Sequence, residues 1–443
     1  SSAVQINGST TQAIESIGFD NPNDIAFTIA PTGSGQAEIQ AAKTFVVNPS
    51  ASFTISNTSS ATELLVNGTL IAASTVVNNG AVQVNGTCQI NTSGSITTNS
   101  LSYGSSSSLI YNTTAGTYAP GAEWTGNATT AGTGVPQHVT IQNTNVVTMP
   151  STDRGIAGNL ILTSGGLTLN ATAGNLFVGG HWTNNGATFT PNTRKVTFNG
   201  GAAQVIGGSA PTTYYNLDIA NTAGGVSLSA PVTVDGVLTL TSGILTTDAV
   251  NILSLTSTSV SAISAGTTSK FIKGPLKWAL GTGTYLFPVG KSSGNYFPFS
   301  LNVTAASSPV VTVEAFDSDA GAGATFDATL TGISHTEYWK ADLNSGTLTA
   351  NVSVSRITAT GDKDVIGQSA AQGGDYTIIN GTASGSSINN SDAVTSLGYF
   401  VMATSFKKCP VSTAVAPSAD QVVCQNVATN PLTATVTLSA GTG

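Results

Sequence analysis

Val139-Thr-Ile-Gln-Asn-Thr144 returns 78 residues later as Leu217-Asp-Ile-Ala-Asn-Thr222, and at the same offset Leu160-Ile-Leu-Thr-Ser-Gly165 returns as Leu238-Thr-Leu-Thr-Ser-Gly243. Each block alternates aliphatic with polar residues and ends in a turn-forming residue. Alternation places apolar side chains on one face of a strand and hydroxyls or amides on the other. Strand-and-turn units repeated at a fixed offset encode a stacked, extended scaffold. The expected fold class is therefore all-β, with a parallel β-solenoid, or β-helix, as its main body.

Working outward, strand candidates of four to seven residues recur through residues 1–265, separated by Asn67-Gly68, Asn79-Gly80, Asn85-Gly86, Asn185-Gly186, Asn199-Gly200 and Ser-Gly steps. Asn-Gly normally signals a hairpin. Here the even spacing reads better as corners of a coil. No segment shows a 3.6-residue apolar period. With a rung of roughly 22 residues and stacked strands about 4.8 Å apart, the segment gives about 12 rungs and a rod on the order of 55–60 Å.

Composition agrees. Only 8% of the 443 residues are charged, against roughly 25% in typical soluble proteins. Ser, Thr, Asn, Gly and Ala take the place of the missing charge. The net charge is −8 and the densest basic feature is the pair Lys407-Lys408, so no nucleic-acid footprint is present. No run of about 18 apolar residues marks a membrane span. The three cysteines, Cys88, Cys409 and Cys424, form no disulfide framework. Pairing of Cys409 with Cys424 is left open. The chain begins at Ser1 and ends on what reads as strands just starting, Pro431 to Ala440. We expect a piece of a longer parent, or a protein from which a signal segment has been removed.

Near Lys270 the character changes. Phe271-Ile-Lys-Gly-Pro-Leu-Lys-Trp278 brings aromatics and prolines, and longer strands follow, such as Val310 to Phe316 and Thr349 to Ser355. Residues 270–405 read as an antiparallel β-sandwich, residues 406–417 as a linker, and residues 418–443 as the beginning of an immunoglobulin-like repeat.

Several motifs in the second half resemble a known family. Val196-Thr-Phe-Asn-Gly200, Gln204-Val-Ile-Gly207, Tyr214-Tyr-Asn-Leu-Asp-Ile219 and Gly236-Val-Leu-Thr-Leu-Thr-Ser-Gly243 are similar to repeats in the giant secreted surface adhesins of the Bacteroidetes. Phe287-Pro-Val-Gly-Lys291, Tyr296-Phe-Pro298 and Glu337-Tyr-Trp339 resemble a module that follows such repeats. Pro417-Ser-Ala-Asp-Gln-Val-Val-Cys424 resembles the start of their immunoglobulin-like domains. The resemblance covers most of the chain from about residue 135. It implies type IX secretion, display on the outer cell surface, and a role in adhesion or gliding motility.

Candidate chemistry is sparse. Gly290-Lys-Ser-Ser-Gly294 has the spacing of a nucleophile elbow, but no helix-forming stretch follows, so a hairpin turn is expected. The glycine that would open a phosphate loop before Lys291 is absent, since position 285 is Tyr. His138, His181 and His335 stand far apart, without zinc-ligand spacing. Asp317, Asp319 and Asp327 form a candidate calcium cluster in a strand-end loop, and Asp362 with Asp364 a second. Asp153-Arg154 is the best place for the charged groove of a polysaccharide lyase or hydrolase. Trp124, Trp182, Trp278 and Trp339 are expected to be buried rather than to stack on sugars.

The reading is a non-enzymatic segment of a cell-surface adhesin, acting as stalk and contact surface. It carries no cofactor, apart from the calcium candidate. Its expected partners are surface glycans, extracellular surfaces or neighbouring surface proteins, together with the secretion machinery. The alternatives are a structural subunit of a surface layer or filament, and a carbohydrate-active enzyme on a β-helix.

Overall fold

One turn of the coil consists of three short strands, each too small to bury anything alone. Leu64–Val66 and Val82–Val84 turn their outer residues inward and leave Leu65 and Gln83 facing out. Stacking completes the burial: Ala37 lies under Leu64 and Leu64 under Val82, while Ile39, Val66 and Val84 form the neighbouring column. A computed structural model describes residues 26–406 except 31–35, 50, 58–61, 115, 293 and 322–328, plus the strand segments 4–6 and 12–13. Every regular element among the described residues is a β-strand, so none is a helix long and apolar enough to cross a membrane.

One face of the coil runs unbroken. Twelve strands, from Thr44–Val47 to Val289–Gly290, stack on it in eleven parallel steps. At about 4.8 Å per step this face is on the order of 50 Å long. The other two faces each come in two parts. Strands ending with Ser95–Thr98 and Ser102–Tyr103 close the N-terminal parts. The C-terminal parts begin with Arg154–Ile156 and Thr212–Tyr214. Between them the repeat lengthens: the step from Ser108 to His138 takes 30 residues, against 21 from Thr87 to Ser108 and 21 from Val139 to Leu160. The extra chain carries Glu123 and Trp124 into the interior, both 0% exposed.

The Asn-Gly steps are corners. Asn85-Gly86 sits on Asn67-Gly68, with Asn85 Nδ2 donating to Asn67 Oδ1 (2.9 Å) and Asn67 Nδ2 to Glu38 Oε1 (2.8 Å). Glycine is required by space here. A Cβ on Gly86 would lie 2.1 Å from the Gly68 carbonyl oxygen, and one on Gly68 2.2 Å from that of Gln40.

The coil passes directly into the antiparallel part. Leu276–Ala279 pairs in parallel with Leu253–Leu255 on one side and antiparallel with Phe299–Phe316 on the other. Parallel pairing thus continues past residue 265, where the sequence placed the end of the solenoid, as far as Val289–Gly290. The reason is physical. The aromatic-rich segment from Phe271 fills the last rungs, with Ile272 on Leu245, Leu276 on Leu253 and Trp278 on Leu255. Beyond it two strands of 18 residues, Phe299–Phe316 and Tyr338–Ser355, pair along their lengths. A single apolar core extends from Ile29 in the coil to Met402 in the antiparallel sheet. A smaller core lies across that sheet, around Leu330, Ile333, Val365, Tyr376 and Val401. The linker expected over 406–417, beyond Phe406, and the immunoglobulin-like module expected over 418–443, with Cys409 and Cys424, lie outside the described residues.

Candidate functional site

The unbroken face presents its outward side chains in two columns. Thr44, Thr69, Thr87, Ser108 and His138 stand in register, one per rung. Beside them run Val46, Ile71, Gln89, Ile110, Thr140, Ile161 and Thr183. Residues two apart on a strand are about 6.6 Å apart and rungs about 4.8 Å apart. The face is therefore a grid, with a mainly hydroxyl row alongside a row of aliphatic, amide and threonine side chains. Over these rungs neither row carries a carboxylate, lysine or arginine; nearer the other end of the face, Lys273 on Ile272–Lys273 is exposed.

The histidines belong to a corner ladder. His138 Nδ1 accepts the N–H of Asn159 (3.1 Å), Asn159 Oδ1 accepts the N–H of His181 (2.9 Å), and His181 Nδ1 accepts the N–H of Val205 (3.0 Å). Each side chain thus satisfies an amide of the following rung. An accepting Nδ1 requires the imidazole to be neutral. Burial alone holds His138 below its ordinary value of 6.5. The unfolded chain therefore takes up this proton more readily than the folded one. The stabilisation is full above that ordinary value and is lost as pH falls toward the folded value. Thermal melting of the protein should decline between pH 7 and pH 5, and His138→Gln should flatten the decline. An unchanged profile in that variant would count against the ladder.

Asp153 and Arg154, the residues on which a catalytic groove would depend, hold neighbouring backbone. Asp153 Oδ1 accepts the N–H of Asn175 (2.7 Å), and Asn175 Oδ1 that of Lys195 (3.1 Å). Arg154 is buried and donates to Thr152 Oγ1 and the Asp153 carbonyl. Ser292 of the elbow-like motif lies in a turn, not before a helix. Its hydroxyl donates to Asp317 Oδ2 at 2.6 Å. That bond is the main cause holding the Asp317 carboxyl below its usual range, which makes it a weak proton acceptor. His335 Nδ1 meets Asp319 Oδ2 at 2.8 Å and so is not on Ser292.

The calcium candidates have other partners. Asp317 also meets Asn295 Nδ2 at 3.4 Å, and Asp319 Oδ1 accepts the N–H of Gly321 (2.8 Å). Asp327 lies outside the described residues. Asp362 binds Lys363 Nζ and Thr404 Oγ1, and Asp364 binds the amide and hydroxyl of Ser405. Among the described residues no three His, Cys, Asp or Glu side chains meet where they could hold a metal. All four tryptophans are buried at 0% exposure. Trp182 packs in a cluster with Phe189, Phe198 and Tyr214.

Two of the motif segments that carried the resemblance, Tyr296-Phe-Pro298 and Glu337-Tyr-Trp339, meet in space, and Phe287-Pro-Val-Gly-Lys291 packs on neighbouring strands. Trp339 Nε1 donates to the Phe297 carbonyl (2.8 Å), Lys291 Nζ pairs with Glu314 (2.7 Å), and Phe287 packs edge-on against Trp278. The sequence did not give the burial or the partners of three acids. Glu63 accepts the N–H of Ala81, Glu337 binds Arg356, and Glu123 gathers tyrosines. A signal for the last existed: Glu123 is the only Asp, Glu, Lys or Arg between Glu63 and Asp153. With this geometry in hand, comparison of the chain with protein-family models, curated proteins and solved structures finds no match.

Proposed function

We propose that the chain is a non-enzymatic segment of a secreted cell-surface adhesin, serving as stalk and contact surface in adhesion or gliding motility. The observation that supports it is the unbroken parallel face, whose outward grid is uncharged from Thr44–Val47 to Trp182–Asn184. Eleven steps of backbone pairing give stiffness along the coil axis. The grid offers many weak hydrogen-bonding and apolar contacts at regular intervals, which suits a glycan, an extracellular surface or a neighbouring surface protein. Over the rungs from Thr44–Val47 to Trp182–Asn184 it lacks the Asp, Glu, Lys and Arg charges that would carry tightly bound water and repel like surfaces. The motif resemblance supports the outer cell surface as the location and type IX secretion as the route.

The test is retention under flow of beads coated with the purified chain, on glass and on cellulose- and chitin-coated slides. Ile110→Glu together with Ile161→Glu, on outward positions, should lower retention by about tenfold or more. Its melting should stay within the roughly 0.5 kcal/mol expected of surface changes. Retention unaffected by the pair removes the grid from the mechanism. Release of reducing sugar would point instead to an enzyme, and regular polymers in electron micrographs to a layer or filament subunit.

A further inference from the structure

Glu123 sits where two faces of the coil break off, and its partners come from several rungs. Its Oε1 accepts from Tyr118 OH (2.8 Å), Tyr111 OH (3.2 Å) and the N–H of Gly121 (3.0 Å). Tyr103 OH donates to the Glu123 carbonyl oxygen at 2.6 Å. The next residue reaches the other way, as Trp124 Nε1 donates to the Gly155 carbonyl (2.8 Å) on the first strand of a C-terminal face. Two adjacent residues therefore fasten the inserted segment to both halves of the coil.

The other carboxyl oxygen, Oε2, is buried and has no partner. Three donors on one oxygen and none on the other suit a carboxylic acid better than a carboxylate, which would leave charge on a bare atom in a low-dielectric interior. The titratable and charged groups around it are Cys88 on Thr87–Asn91, Tyr103 on Ser102–Tyr103, Tyr111 on Ser108–Asn112, Tyr118 on Thr117–Tyr118, and Arg154 on Arg154–Ile156. The one cation among them, Arg154, makes its hydrogen bonds to Thr152 and Asp153. We infer that Glu123 is a proton-held latch. Protonated, it ties the inserted segment to the N-terminal rungs; ionised, it releases that segment while the two flanking stacks stay folded.

The direction of the pH effect follows. Burial pushes the Glu123 carboxyl up, more than its hydrogen bonds pull it down. A group raised on folding contributes fully below its ordinary value, here 4.5, and its contribution is lost as pH rises to the folded value. The latch is therefore tightest in mild acid. This trend runs opposite to that of His138, so comparison of variants at equal pH is needed to separate them.

The experiment is hydrogen exchange followed by mass spectrometry on the full chain from pH 5 to pH 9, with Glu123→Gln and Tyr118→Phe as variants. Glutamine mimics the protonated acid and cannot ionise. Wild-type peptides over residues 116–137, in the inserted segment, should open at least about tenfold more by pH 9, relative to E123Q at equal pH. Peptides over residues 160–182 should not differ. Y118F removes a donor that favours the carboxylate, so its opening should move to higher pH, which a merely weakened structure would not do. Parallel pH profiles for wild type and E123Q would overturn the latch, as would equal opening over 160–182. Should E123Q fail to fold, the infrared band of a protonated buried carboxyl in the wild type decides. Loss of the band over the same pH range in which the peptides of residues 116–137 open supports the latch, and opening of those peptides while the band persists overturns it.

Discussion

Leu160→Asp should abolish cooperative folding of the coil. Leu160 is fully buried and stacks between Val139 and Trp182 on the unbroken face. Removing the leucine side chain alone costs about 2–5 kcal/mol in a packed core. Placing an unpaired carboxylate there adds several kcal/mol more. The sum rivals the roughly 5–15 kcal/mol that holds a typical domain together. A stacked coil makes the damage spread, because each rung has only its two neighbours to lean on. Circular dichroism melts should show the transition lost or strongly lowered for L160D and lowered by a smaller step for Leu160→Ala. Thr163→Asp, at an exposed outward position of the same strand, should melt like the wild type. If L160D melted with the wild type, the inner aliphatic column could not be what holds the rungs.

The same column explains why the fold class was legible. Period-two alternation sets which residues face in, and the 78-residue recurrence of Val139 to Thr144 sets their repetition. The Asn-Gly corners were legible because close stacking of rungs leaves no room for a Cβ at Gly68 or Gly86. The junction was not. Phe271 to Trp278 reads as the start of a new core because its side chains are bulky, yet parallel pairing depends on backbone register, which composition does not report. The histidines escaped for a related reason. A polar side chain that caps the amide one rung away, as His181 does for Val205, is 24 residues from its partner. Glu123 left a trace as a lone charge in an uncharged stretch. Its meaning, however, rests on tyrosines brought together only by stacking.

Glu337→Ala should be the most damaging single change in the antiparallel part. Glu337 is buried, and its Oε1 accepts from Ser334 Oγ (2.8 Å) and from Arg356 Nη1 (3.2 Å), while Thr336 donates to Oε2. Arg356 is itself largely shielded, its side chain 14% exposed, with Nε and Nη2 directed at the Ala359 carbonyl. Loss of the acid leaves a shielded guanidinium short of its counter-charge, at a cost of about 3–5 kcal/mol. The position amplifies this. Glu337 leads straight into the strand Tyr338–Ser355, whose Trp339 anchors on Phe297. Yet a buried pair need not stabilise relative to apolar residues of similar volume, so Glu337→Met with Arg356→Met should recover much of the loss. Urea unfolding of the two variants separates the readings. Recovery in the double variant means that the single change harms through the stranded charge. Equal loss in both means that Glu337 acts by holding Ser334 and Thr336, the turn before the strand, and that Arg356 contributes little.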